Sequence, residues 1–209
     1  MTLSQFILMI GLIQIIPIIL FIVAGIFLIL TDKLKILEIN RSKLFVKAGI
    51  LILLGQILML IFTIFGIFYS ISLISAETVI LYFVILLINS FLLLLAFSVC
   101  IMPIGIDNRL KFGNYLLFVA ISGTITFLIY LIANFLLGLW LLGIIHGLGL
   151  ITIVLLITIV DILSLATYLL IIFAGKKIES KQLMATGVFF LLGLIFQFIG
   201  IFLISPLFY

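Results

Sequence analysis

The side chains best suited to chemistry stand in VLLITIVDILSLATYLL, residues 154–170, where Asp161 is a lone carboxylate in a long apolar run. Thr158, Ser164 and Tyr168 lie three, three and seven positions from it. They share its face of a helix, so the four predict a polar stripe directed into a bundle. Asp161 lies 14 residues before Gly175, which at the helical rise is about 21 Å from the neighbouring cationic residues. A charge at such depth in lipid costs a few kcal/mol and must face protein or trapped water. Two chemistries fit. One is a proton or cation relay centred on Asp161. The other is a protonated acid, hydrogen bonded to hydroxyls or amides on a neighbouring helix, that fixes helix register. No basic residue lies in the interior of an apolar run to pair with Asp161, which favours the protonated acid or a partner from another subunit.

Other polar groups are spread along the remaining apolar runs: Gln14, Gln56, Asn89, Asn134 with Tyr130 and Thr126, and Gln197. Amides at such depth serve as interhelical hydrogen-bond partners, and Gln56, Asn89 and Gln197 join Asp161, Thr158, Ser164 and Tyr168 as the candidate intramembrane polar site. His146, in GIIHGLG (143–149), sits where the chain turns back and is the candidate outer-face residue. An outer proton entry is its functional reading, and a solvated or partner-contacting histidine its structural one.

Enzyme chemistry lacks its residues. One histidine and one cysteine, Cys100, supply neither a zinc site nor a bis-histidine haem, so no cofactor or metal is expected. No phosphate-binding loop is present, and no second acid at membrane depth completes a carboxylate pair with Asp161. The expectation is a protein that is not an enzyme.

These residues must be held by helices in lipid. The 209 residues are 68% hydrophobic and 8% charged, with a mean hydropathy of +1.73, too little polar surface for a globule of this size in water. Polar breaks divide the chain into six apolar runs, about 3–30, 44–75, 78–105, 115–137, 143–174 and 184–208. Each is long enough to span a bilayer and, with no water to satisfy its backbone, must be helical. The N-terminal run has no basic leader and is too long for a signal-peptide core, so it reads as a retained first span. The fold expected is all-α, a single domain over residues 1–209, with six transmembrane helices in three antiparallel hairpins.

All ten basic residues fall in or beside three connections: TDKLKILEINRSK (31–43, with Lys47 just after), IDNRLKFGN (106–114) and GKKIESKQ (175–182). The opposite connections carry only Glu77 and His146. The positive-inside rule places the basic loops in the cytoplasm and both termini outside a cell membrane. The net charge of +4 is dispersed over these loops and not gathered on one face, which argues for anionic lipid headgroups and against nucleic acid.

KAGILILLGQI (47–57) aligns with ATGVFFLLGLI (185–195), matching Gly49 to Gly187 and Gly55 to Gly193, and LLFVAISGTI (116–125) joins through Gly123. An ancestral hairpin repeated in parallel explains the match, and so does the recurrence of glycine in apolar helices. Gly193, Gln197 and Gly200, and Gly55, Met59, Phe62 and Gly66, line single faces on which neighbouring helices should approach closely. Pro17 and Pro103 should kink or break their spans.

Short basic loops between glycine-bearing helices, as in SKLFVKAGILILLGQIL and SKQLMATGVFFLLGLIF, resemble the style of uncharacterised small archaeal multi-span membrane proteins. The resemblance implies a helical multi-pass fold and transfers no catalytic residues. Two functions follow from the sequence. The first is a non-catalytic, accessory integral subunit of a larger membrane complex, a respiratory one among the candidates, whose partners are lipids and other integral membrane subunits. The alternative is a small channel or proton-coupled transporter that uses Asp161. Converging polar residues at one depth would favour the second, and along the sequence they are thinly spread.

Overall fold

The computed structural model describes residues 3–31, 39–69, 76–106, 113–141, 143–144 and 148–204. They form the helices α1 (Leu3–Leu30), α2 (Ile39–Tyr69), α3 (Ala76–Leu95), a π-helical segment (Ala96–Ile101), α4 (Met102–Ile106), α5 (Gly113–Leu141), α6 (Leu148–Ile178) and α7 (Lys181–Ile204). No strand occurs among the described residues. α3, the π segment and α4 run on as one rod, so the described residues make six long rods. Among the described residues five helical stretches are long and apolar enough to cross a membrane, and α1 contributes the apolar stretch Gln14–Leu30. This is a multi-pass helical membrane protein.

Each rod packs on its neighbours in sequence, and α7 returns to pack on α1, closing a ring. One side chain from each rod, Leu28, Phe45, Phe97, Leu116, Ile171 and Leu183, meets on the ring axis. They leave a wholly apolar void with room for about one water-sized sphere. Lys43 and Lys47 on α2, and Lys176, Lys177 and Lys181 beside the α6–α7 turn, mark this as the basic end of the ring. Lys33, Lys35, Arg109 and Lys111 lie outside the described residues.

Backbone approaches backbone at Gly49 and Gly187, which the sequence singled out only as a matched pair, and not at Gly55 and Gly193, on whose faces close approach was expected. A Cβ on Gly49 would stand 2.7 Å from the Gly25 carbonyl of α1, and one on Gly187 would stand 2.8 Å from the Ile172 nitrogen of α6. The two glycines matched in the sequence therefore do the same job in the first and third hairpins. Their partners Gly55 and Gly193 admit side chains, Asn89 of α3 and the Phe21 ring of α1. Gly123 admits the Phe97 ring. With lipid outside as apolar as the core inside, such contacts rather than hydrophobic exclusion hold the helices together.

Several boundaries differ from expectation. Helix α5 continues past residue 137 to Leu141, and residues 70–75, the expected end of the second run, lie outside the described residues. Gly143 does not open the fifth span. It adopts a positive φ of 72° and closes α5, with Gly143 N–H donating to Trp140 O and Ile144 N–H to Leu139 O. α6 runs on through Lys176 and Lys177 to Ile178, because cations are favourable at a helix C-terminus. Glu179, at φ 58°, then turns the chain, and Ser180 caps α7 by accepting from the Leu183 N–H at 3.1 Å. Pro17 does not break α1, which is continuous through it. Pro103 stands two residues past the π segment, at the second position of α4, just after Met102 N–H donates to Phe97 O in the wider π turn.

Candidate functional site

Hydroxyl groups settle their own needs first. Thr63, Ser90, Ser98, Thr126, Thr158, Thr167 and Thr186 each donate to the carbonyl four residues earlier. This bond lets a threonine face lipid without an orphaned donor. It explains why Thr158, expected to point into the bundle, is exposed, with its hydroxyl 2.9 Å from Val154 O. The buried arc of α6 is centred on Ile153, Val160, Ser164 and Ile171, so the predicted stripe runs obliquely across it. Ser164 and Tyr168 are buried, Asp161 is half-buried at the edge of the arc, and Thr158 lies beyond it.

The amides divide into two groups. Gln56 and Asn89 are buried, and Gln56 Nε2 donates to Asn89 Oδ1 at 3.2 Å, joining α2 to α3. Asn134 Nδ2 donates to Ser90 Oγ at 2.8 Å, joining α5 to α3. Between α5 and α6, Thr167 Oγ1 lies 2.7 Å from Ser122 Oγ and 3.3 Å from Thr126 Oγ1. Ser90, Ser122 and Thr167 were not singled out in the sequence, where a lone hydroxyl in an apolar helix carries no signal. These bonds form a paired seam from α2 through α3 and α5 to α6. Among the described residues Thr124 Oγ1 is the one buried side-chain polar atom without a partner.

Gln14, Asp161 and Gln197 behave differently. Three aromatic rings from their helices meet inside the ring: Tyr168 of α6 stacks on Phe190 of α7 with centroids 5.0 Å apart, and Phe21 of α1 lies 5.7 Å from Phe190 and 6.4 Å from Tyr168. Four residues farther from the basic end along each helix stand Pro17, Ser164 and Leu194, all buried. Seven residues farther, on the same helix faces, stand Gln14, Asp161 and Gln197. Two helical turns raise this layer about 10 Å above the rings.

The depths agree independently. Gln14 is 16 residues from Leu30, Asp161 17 from Ile178 and Gln197 16 from Lys181, so each lies about 25 Å above the basic end of its helix. Although all three continue buried faces, Gln14 and Gln197 are exposed and Asp161 half-exposed. Residues 195–199 of α7 are exposed on every side, including the side toward the ring axis. The far end of the ring is therefore loosely packed, and the cleft that this leaves between α1, α6 and α7 is inferred from exposure and register, with the buried Pro17, Ser164 and Leu194 beneath it. Among the described residues, Gln14, Asp161 and Gln197 have no hydrogen-bond or ionic partner. Tyr130 and Tyr168 lie within electrostatic reach of the Asp161 carboxyl.

No group of histidine, cysteine, aspartate and glutamate side chains with metal-holding geometry occurs among the described residues. Cys100 is a buried core residue of the π segment. His146 and Gly147 lie outside the described residues. Compared with known proteins, the chain matches no family model, no curated protein and no solved structure.

Proposed function

We propose that the protein is a small cation carrier or channel of the cell membrane with six spans, its basic end cytoplasmic and both termini outside. Asp161 binds and releases the proton or cation that moves. The gathering of Gln14, Asp161 and Gln197 into one open layer carries this reading. Polar groups thinly spread along the sequence converge at one depth, as a solute pathway requires. The orientation rests on the positive-inside rule and on Lys43, Lys47, Lys176, Lys177 and Lys181 lying at one end. The sixth span rests on α1, whose 28 residues suffice to cross a bilayer. In proteoliposomes bearing a pH gradient, the protein should dissipate the gradient and Asp161→Asn should not. Equal flux from the two would remove Asp161 from the mechanism.

A second reading is an accessory subunit of a larger membrane complex. It is favoured by α6, of whose span 28% is buried against 33–44% in the other four. A partner helix could cover that face and supply a donor to Asp161. Native mass analysis in a mild detergent separates the two. Stoichiometric partner subunits, released by Asp161→Asn, would support the accessory role, and a lone species or homo-oligomer would support the carrier.

A further inference from the structure

The open layer is rich in acceptors and holds a single charge. Asp161 brings a carboxyl, and Gln14 and Gln197 each bring an amide oxygen. Pro17 adds one more acceptor. Lacking an N–H, it leaves the carbonyl of Ile13, directly beside Gln14, without the bond that a continuous α1 would otherwise give it. One carboxylate balances one positive charge. Three further oxygens, two on α1 and one on α7, suit a cation whose N–H groups point in several directions. Hard metal ions such as calcium or magnesium ask for six or more oxygens in a closed shell, and α6 and α7, being unbroken helices, release no extra carbonyls toward the cleft.

We infer that the cleft between α1, α6 and α7 is a binding site for a primary ammonium ion. Its charge pairs with Asp161 and its N–H groups donate to the carbonyl oxygens of Gln14, Gln197 and Ile13. The inference rests on the carrier reading only for its cargo, and binding can be measured without transport. Ser164, in the buried floor, offers a hydroxyl beneath the ion, and Pro17 and Leu194 close the floor toward the rings.

The test uses the full-length protein in detergent and follows its thermal unfolding midpoint at constant ionic strength. The probes are methylammonium, tetramethylammonium and sodium as chlorides. Methylammonium should raise the midpoint saturably and the other two should not, because tetramethylammonium has no N–H to donate and sodium finds too few oxygens. Asp161→Asn should erase the rise. Gln197→Leu should weaken binding by about tenfold, and so should Pro17→Ala, which restores a donor to the Ile13 carbonyl. Thr158→Val, on the exposed side of α6, should bind as the parent does. An equal rise with tetramethylammonium overturns the hydrogen-bonded ammonium, and a rise with sodium alone overturns the ammonium class in favour of a metal cation. No rise with any probe, from folded protein, overturns the site, yet the carrier reading stands if Asp161-dependent proton flux persists. A methylammonium rise without any flux upholds the site and removes the carrier.

Discussion

The seam from α2 to α6 and the layer across α1, α6 and α7 use the same residue types to opposite ends. In the seam, Gln56 meets Asn89 and Asn134 meets Ser90, and all four are buried. In the layer, Gln14, Asp161 and Gln197 meet no protein partner among the described residues and stand open. A paired amide in a dry interior ties two helices together. An unpaired one at the same depth leaves its hydrogen-bonding capacity for something that arrives. On the proposed reading the seam serves stability and the layer function, and substitutions should separate them.

The largest effect expected is on function. Asp161→Asn should abolish proton flux and ammonium binding while the unfolding midpoint stays near the parent value, because no protein group loses a partner. A large fall in the midpoint would move Asp161 into the seam's category and break the comparison. Next comes Asn89→Leu, which orphans the buried Gln56 amide and drives a branched side chain against Gly55. It should destabilise by about 2 kcal/mol, read as a lower denaturant midpoint in detergent, with residual flux in whatever protein remains folded. Thr167→Val removes the clasp to Ser122 and Thr126 and should cost about 0.6 kcal/mol, the usual worth of an interhelical hydrogen bond in lipid. The smallest change in stability belongs to Gln197→Leu, within about 0.5 kcal/mol of the parent, even as it weakens cation binding. A loss as large as that of Asn89→Leu would show Gln197 to be a packing residue after all.

Glycine ties the two regions into one ring. Gly49 and Gly187 bring backbones together within the first and third hairpins, and Gly193 makes room for Phe21 at the edge of the aromatic group that underlies the layer. Gly193 was readable in advance as a place of close approach, whereas Gly49 and Gly187 were legible only as a matched pair whose contacts the sequence did not give. The pairing of Gln56 and Asn89 was readable only as a class of contact. Which amide finds which partner depends on helix rotation, and Gln197, like Gln56 an amide in an apolar helix, has the opposite outcome.

From the sequence alone follow the helices, their passage through a membrane and the depth of Asp161, because each needs only apolar length and a fixed rise per residue. Rotation about each helix axis is another matter. Lipid and core are both apolar, so α1, α6 and α7 are hydrophobic around most of their surface and their periodicity does not say which side faces in. The tertiary structure decided it through close packing. Once Phe21, Tyr168 and Phe190 meet, the residues seven positions away must share one layer. The rotation that gathers Gln14, Asp161 and Gln197 also turns Thr158 outward, where a bond to its own helix leaves the hydroxyl at no loss.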